Sequence, residues 1–437
     1  MLKPISCSLA LLIAVSLAPG AQSREPAAPY GERIAAADAA WPEARPDPAL
    51  KVFPDLERKG PVLVPDAAAR ESGTRWETQI RELEARGGPY AAGLEEPLAD
   101  MARQRVEQGR FAEALSLYRR SLHVLRINTG LAGPAQLAIV RAMLQLQRAI
   151  GDGDALEDLY GYYYRLGWLD ADTRSGEERW RVALEYLRWQ RERLRTAGTG
   201  DVDRMLLNLH RLNEQLLEQA AVEDAQVTVQ RDLARSQLLN LYLVRDRVAP
   251  PTPETLSVLA PRRSQRPDVL PEDIYRDRLL NLHRSAVRAG SELLESLVPG
   301  SESPVARAGI YRAIGDWEQW NGTWRRAEDA WRTAFQLLRG AGEEALIAQW
   351  FGAPVELPDN GVFWQPDDDG DNSVVRMTFD VSERGRPRRA SASVLSGRDS
   401  ATITAVRELR DMRFRPRFDS GQATDTASVV RDYRVYH

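Results

Sequence analysis

Four histidines, a run of aspartates, two arginine clusters and many tryptophans are the residues of this chain whose chemistry could serve a reaction or a ligand. His123, His210, His283 and His437 are its only histidines. No two of them stand four apart, the spacing that lets two imidazoles on one helical face share a zinc ion. His210 and His283 both fall in the string LLNLHR, which predicts an equivalent structural position in two helical hairpins. The string PDDDGDNS places Asp367, Asp368, Asp369 and Asp371 around Gly370, superficially like a calcium loop. With Gly370 at the glycine position of such a loop, the first ligand would be Gln365 and the closing bidentate acid would be Arg376. The spacing therefore fits a solvated turn between domains.

The remaining chemistry is equally sparse. Cys7 is the only cysteine and lies in an N-terminal apolar run, so an exported mature chain would have no disulfide, thiolate metal site or cysteine nucleophile. Tryptophans beside acids can line a sugar cleft, but glycoside hydrolysis needs two carboxylates flanking the bond, and no pair is singled out by its context. RGRPRR, from Arg384 to Arg389, and RFRPRF, from Arg413 to Phe418, are basic, and the second interleaves aromatic residues. Such clusters can hold a polyanion. In an exported protein that would be a lipid head group or a cell-wall polymer; the simpler reading is a solvated hairpin and a helix-to-strand connection. The expectation is a protein without catalytic residues, metal or cofactor.

These residues sit on a chain of 437, longer than one core usually needs, with 43% hydrophobic and 28% charged residues. The formal net charge is −4, and the positive charge is almost all arginine, so nucleic acid is not an expected partner. The N-terminus reads MLKPISCSLALLIAVSLAPGAQS: Lys3, an apolar run from Ile5 to about Ala18, then small residues with Ala21 and Ser23 suited to cleavage. Residues 1–23 are expected to be a secretory signal peptide, which implies a periplasmic location in a Gram-negative bacterium. Residues 24–73 are rich in Ala and Pro and are expected to be extended.

Residues 74–345 carry helical periodicity and an internal repeat. In LADMARQRVEQGRFAEALSLYRRSLHVL, Leu98, Met101 and Ala102 mark one helix, Gly109 a turn, and Phe111, Ala114, Tyr118 and Ser121 the next. YRAIGDWEQWNGTWRRAEDAWRTAFQLL repeats the template with Tyr311, Ile314 and Gly315, then Gly322, Trp324, Ala327, Trp331 and Ala334. Small residues let two helices approach where they cross, and Tyr118 or Trp331 fills the space beside them. Both segments resemble the tetratricopeptide repeat, a helical hairpin of about 34 residues, which implies a stacked array with a concave protein-binding surface. A Pro-rich stretch from Ala249 to Pro271 interrupts the pattern and is expected to be a long loop.

Residues 346–372 are expected to be a linker, and residues 373–437 change period. Val375, Met377, Phe379 and Val381 alternate with polar residues, SERGRP turns the chain, and Ala390, Ala392 and Val394 continue in a second strand. A helix from about Asp399, with Thr402, Ala405, Val406, Leu409 and Met412 inward, is expected to run to Pro416. A last strand covers about Ala427 to Tyr436. This segment is expected to fold alone.

The order, with FDVSERGRP in the first hairpin and AVRELRDMRFRP after it, resembles the C-terminal domain of TonB, the periplasmic end of a bacterial energy transducer. The resemblance implies a small α+β domain whose last strand pairs with an extended peptide of an outer-membrane partner. On this chain the pairing segment would hold Val429, Arg431, Tyr433 and Val435. The fold expectation is thus mainly α: a tetratricopeptide-like array followed by a small TonB-like domain.

The functional expectation is a non-enzymatic periplasmic adaptor whose partners are outer-membrane or other envelope proteins. Membrane association is expected only if the signal segment is retained. Two alternatives stand beside it: a TonB-type transducer with a retained anchor, and a cell-wall glycan-acting enzyme on a helical scaffold.

Overall fold

The computed structural model describes residues 21–22, 67–131, 133, 135–151, 153–168, 176–196, 202–247, 271–301, 303–363 and 372–436. The expected signal peptide lies outside the described residues except for 21–22. The 24–66 stretch, the aspartates at 367–371 and nearly all of the Pro-rich loop lie outside them as well.

The described chain is mainly helical and ends in a small sheet region. Helices α1 (Ala67–Gly87), α2 (Glu95–Glu107), α3 (Phe111–Thr129), α4 (Gln136–Ile150), α5 (Gly153–Trp168) and α6 (Gly176–Thr196) form its first half. They are followed by α7 (Val202–Val222), α8 (Val227–Arg247), α9 (Pro271–Ser296), α10 (Pro304–Trp320), α11 (Trp324–Gly340) and α12 (Glu344–Phe351). Every helix packs on the next in sequence, so each apolar stripe is buried by its chain neighbours, as in a solenoid. The cores of successive groups share helices: α2 to α6 enclose one, α6 to α8 the next, and α8 to α11 a third.

The hairpin α2–α3 and the turns α10–α11 and α11–α12 are built alike. Each uses three residues with glycine in the middle, and Gly109, Gly322 and Gly342 have φ of 71°, 91° and 75°. A side chain there would strain the turn. The expected small residues lie where the helices meet: Ala102, Ala114 and Ala327 are fully buried, with Tyr118 and Trp331 beside them. A Cβ on Gly315 would stand 2.4 Å from Cδ1 of Trp331, so only glycine admits that indole.

The sheet region adds β2 (Val355–Leu357), β3 (Asn372–Val381), β4 (Pro387–Ser396), helix α13 (Ala401–Asp411), β5 (Arg413–Arg415), β6 (Arg417–Asp419), β7 (Gln422–Thr424) and β8 (Thr426–Tyr436). A two-residue strand, β1 (Ala21–Gln22), lies parallel to β8, and the main sheet has the order β1-β8-β3-β4. Its inner face carries the expected set: Val375, Met377, Phe379 and Val381 are buried under Ala401, Ala405 and Leu409 of α13.

Three boundaries differ from the sequence reading. Helical structure starts at Ala67, inside the stretch expected to be extended. The expected linker holds most of α12 and all of β2. Helix α13 stops at Asp411, not at Pro416, because the next residues pair as β5 with β2, Phe414 opposite Glu356. Arg415 precedes proline, which also disfavours helical backbone at that residue. Residues outside 373–437 therefore complete the packing of that segment: Phe418 sits in a core with Trp331, Phe335 and Phe351 of the helical array.

Candidate functional site

Strand β8 pairs antiparallel with β3 from Asn372 opposite Tyr436 to Phe379 opposite Val429 without a register shift. Among the described residues its other side meets only β1, with Ala21 opposite Val430 and Gln22 opposite Arg431. The far edge, β4, is built differently. It begins at Pro387, carries exposed Arg388 and Arg389, puts Arg389 at φ 53° and has register shifts on both sides of its regular stretch. Proline, charge and bulges blunt a sheet edge. β8 has its own shift beside Ser428, at φ 55°, but from Val429 to Tyr436 it has neither proline nor shift.

The structure brings Val429, Arg431, Tyr433 and Val435 to the inner face of the sheet. Val435 is buried in the core, and Val429 and Tyr433 pack against it. Arg431 donates from Nη2 to the carbonyl of Pro354 at 2.5 Å, lies 3.6 Å from Glu356 Oε2 and covers the ring of Phe414. The Tyr433 hydroxyl donates to Glu356 Oε2 at 3.2 Å, and burial pushes its phenol up from the ordinary value. These side chains hold β2 beneath β8. A strand added at the edge would thus be held by backbone groups, because each edge residue turns its N–H and C=O alternately toward and away from its neighbour. On the open face, Arg376 clasps Asp432 through two bonds of 2.8 Å.

The contacts of β8 continue into the helical array through a junction that sequence reading missed. Arg415, at the end of β5, is 1% exposed. Its Nη1 donates to both Asp316 oxygens of α10, at 2.8 and 2.6 Å, and its Nε to the carbonyl of Trp350 at 2.9 Å. Asp316 also accepts from the indole of Trp331 at 3.0 Å. Burial pushes the Asp316 carboxyl up, against the pull of Arg415 and Arg312. Gln319 of α10 donates to the carbonyls of Arg384 and Phe414 at 2.8 and 3.1 Å. The one available signal was Arg415 itself, a charge set between aromatic residues in RFRPRF.

The histidines do not converge. His210 of α7 meets Gln237 of α8 through Nδ1 and lies 3.3 Å from Glu214, within a buried polar seam where Arg191 donates to Ser236 Oγ at 2.7 Å. His283 of α9 accepts from Arg245 of α8 at 2.8 Å. The two LLNLHR strings thus both pack on α8, and their leucines share one cluster with Val244. No group of three His, Cys, Asp or Glu among the described residues could hold a metal.

Both imidazoles are held below their ordinary value, His210 chiefly by burial and His283 by burial and then by Arg245. The unfolded chain therefore takes up protons near the ordinary value of about 6.5 that the folded chain refuses. Stability is full above that pH and falls as pH drops through it. Thermal melts at neutral and mildly acidic pH are expected to show this loss, and a His210→Gln/His283→Gln variant is expected to lose less. Equal losses would assign the effect to other groups.

Compared with known proteins, the chain matches no protein-family model and no curated protein.

Proposed function

We propose that this protein is an exported, non-enzymatic adaptor that binds an extended segment of an envelope protein at the β8 edge and a second protein on its helical array. The array resembles stacked tetratricopeptide repeats, and the strand-turn-strand-helix-strand order resembles the TonB C-terminal domain. The observation that carries the reading is the unshifted register of β8 from Val429 to Tyr436, which gives it an eight-residue regular edge while β4 is blunted by Pro387 and exposed arginines. Cleavage after Ser23 would remove β1 and open that edge along its length. N-terminal sequencing of the exported protein is expected to start near Arg24; a start at Met1 would favour the anchored transducer.

The backbone test uses two adjacent positions. Of Val429 and Val430, one turns its N–H toward β3 and the other toward the open edge. Proline removes that donor. One of Val429→Pro and Val430→Pro is therefore expected to destabilise the sheet, while the other stays folded and loses capture of outer-membrane proteins by about tenfold or more relative to its alanine control. A folded proline variant that captures as well as its control would exclude strand addition at β8.

A further inference from the structure

The two arginine motifs are far apart in sequence, yet the fold joins them. Phe414 donates its N–H to the carbonyl of Gly385 at 3.0 Å, which fixes the β3–β4 turn against β5. The turn is itself tied down: Gly385 N–H donates to the Ser382 carbonyl at 2.7 Å, and Arg386 N–H to Ser382 Oγ at 3.1 Å. Arg386 and Arg413 thereby become electrostatic neighbours, with exposed Arg384 in the turn and exposed Arg388 at the start of β4 flanking Arg386 in sequence. Among the described residues none of these four arginines is in an ion pair.

Arg413 is the half-buried member. Its Nη1 donates to the carbonyls of Asp411 and Met412 at 2.6 and 3.1 Å, while its buried Nε has no acceptor. Burial and then the Arg386 charge hold its guanidinium below the ordinary value, with Asp411 pulling the other way. Other acids near the cluster are Glu383 in the turn, Asp425, whose Oδ1 accepts from the Glu383 N–H, and Asp380, which lies opposite Arg388 and pairs with Arg389 at 2.6 Å. An anion beside the exposed arginines would relieve the repulsion between Arg386 and Arg413.

We propose that the tip formed by Arg384, Arg386, Arg388 and Arg413 binds the phosphates of anionic phospholipid head groups. Guanidinium forks match phosphate oxygens. Arg384, Arg386 and Arg388 are all exposed, so several guanidiniums can meet the phosphates of one flat surface at once. This contact does not use the β8 edge, so its failure leaves the strand-addition reading standing.

The test is cosedimentation of the full chain with vesicles of phosphatidylcholine, with and without phosphatidylglycerol. The difference between the two isolates the charge contribution from the apolar N-terminal run. Binding is expected to rise at least about tenfold with phosphatidylglycerol and to fall steeply with salt. The exposed triple variant Arg384→Gln/Arg386→Gln/Arg388→Gln, with its melting temperature checked, is expected to lose that increment, and Arg413→Gln to lose part of it. No increment in the parent, or an unchanged increment in the folded triple variant, overturns the proposal. So does binding to inorganic phosphate or to isolated cell-wall sacculi without any phosphatidylglycerol increment.

Discussion

Replacing Arg415 by methionine is expected to cost about 3–5 kcal/mol of stability, because it leaves the Asp316 carboxylate buried without its guanidinium. Both Asp316 oxygens lose a donor, and the Trp331 indole and the Arg312 charge remain beside that carboxylate. The carbonyl of Trp350 is orphaned as well. The raised Asp316 carboxyl shows that desolvation already outweighs the attraction of the neighbouring arginines. Removing both charges should therefore be far milder than removing one. An Asp316→Leu/Arg415→Met variant is expected to recover most of the loss, as measured by urea unfolding. A single variant within about 1 kcal/mol of the parent would show that Arg415 does not fasten the sheet region to α10.

The second large effect is expected at Trp331, where alanine should cost about 3–5 kcal/mol. The indole is fully buried, seated on Gly315, and its ring meets Phe418 of β6 edge-on at 6.2 Å. Its loss opens a cavity in the last hairpin and under the sheet region together. Trp331→Phe keeps most of the volume but leaves Asp316 short of one donor, so about 1–3 kcal/mol is expected. Thermal melting of the two variants separates packing from hydrogen bonding. Equal, small shifts in both would mean that the hairpin does not depend on this side chain.

These two residues were legible in the sequence to different degrees. Trp331 stands at a repeat position, where the template sets a large residue against a small one. Arg415 could be seen only as a member of a basic-aromatic string. Its partner lies 99 residues away in the chain, and no local pattern distinguishes Asp316 from the other acids of α10 and α11. The same holds for Glu356, which receives Arg431 and Tyr433 across 75 and 77 residues, counting 431 − 356 and 433 − 356.

What the sequence determined by itself was everything that has a short period. The alternation of Val375, Met377, Phe379 and Val381 named the buried face of β3, and helical spacing named Ala405 and Leu409 of α13, though not the buried Ala401 at its start. Glycine in the middle of the turns marked where helices reverse. Such signals are local because a strand or helix repeats its geometry every few residues. Tertiary structure alone decided where α13 stops, since β5 forms only when β2, more than fifty residues earlier, arrives to pair with it. It also decided which face of β8 Arg431 and Tyr433 occupy, because alternation shows that neighbours differ without showing which side is covered. The two arginine motifs met for the same reason: backbone bonding between the turn and β5 depends on the whole sheet being in register, and no single stretch of sequence encodes that.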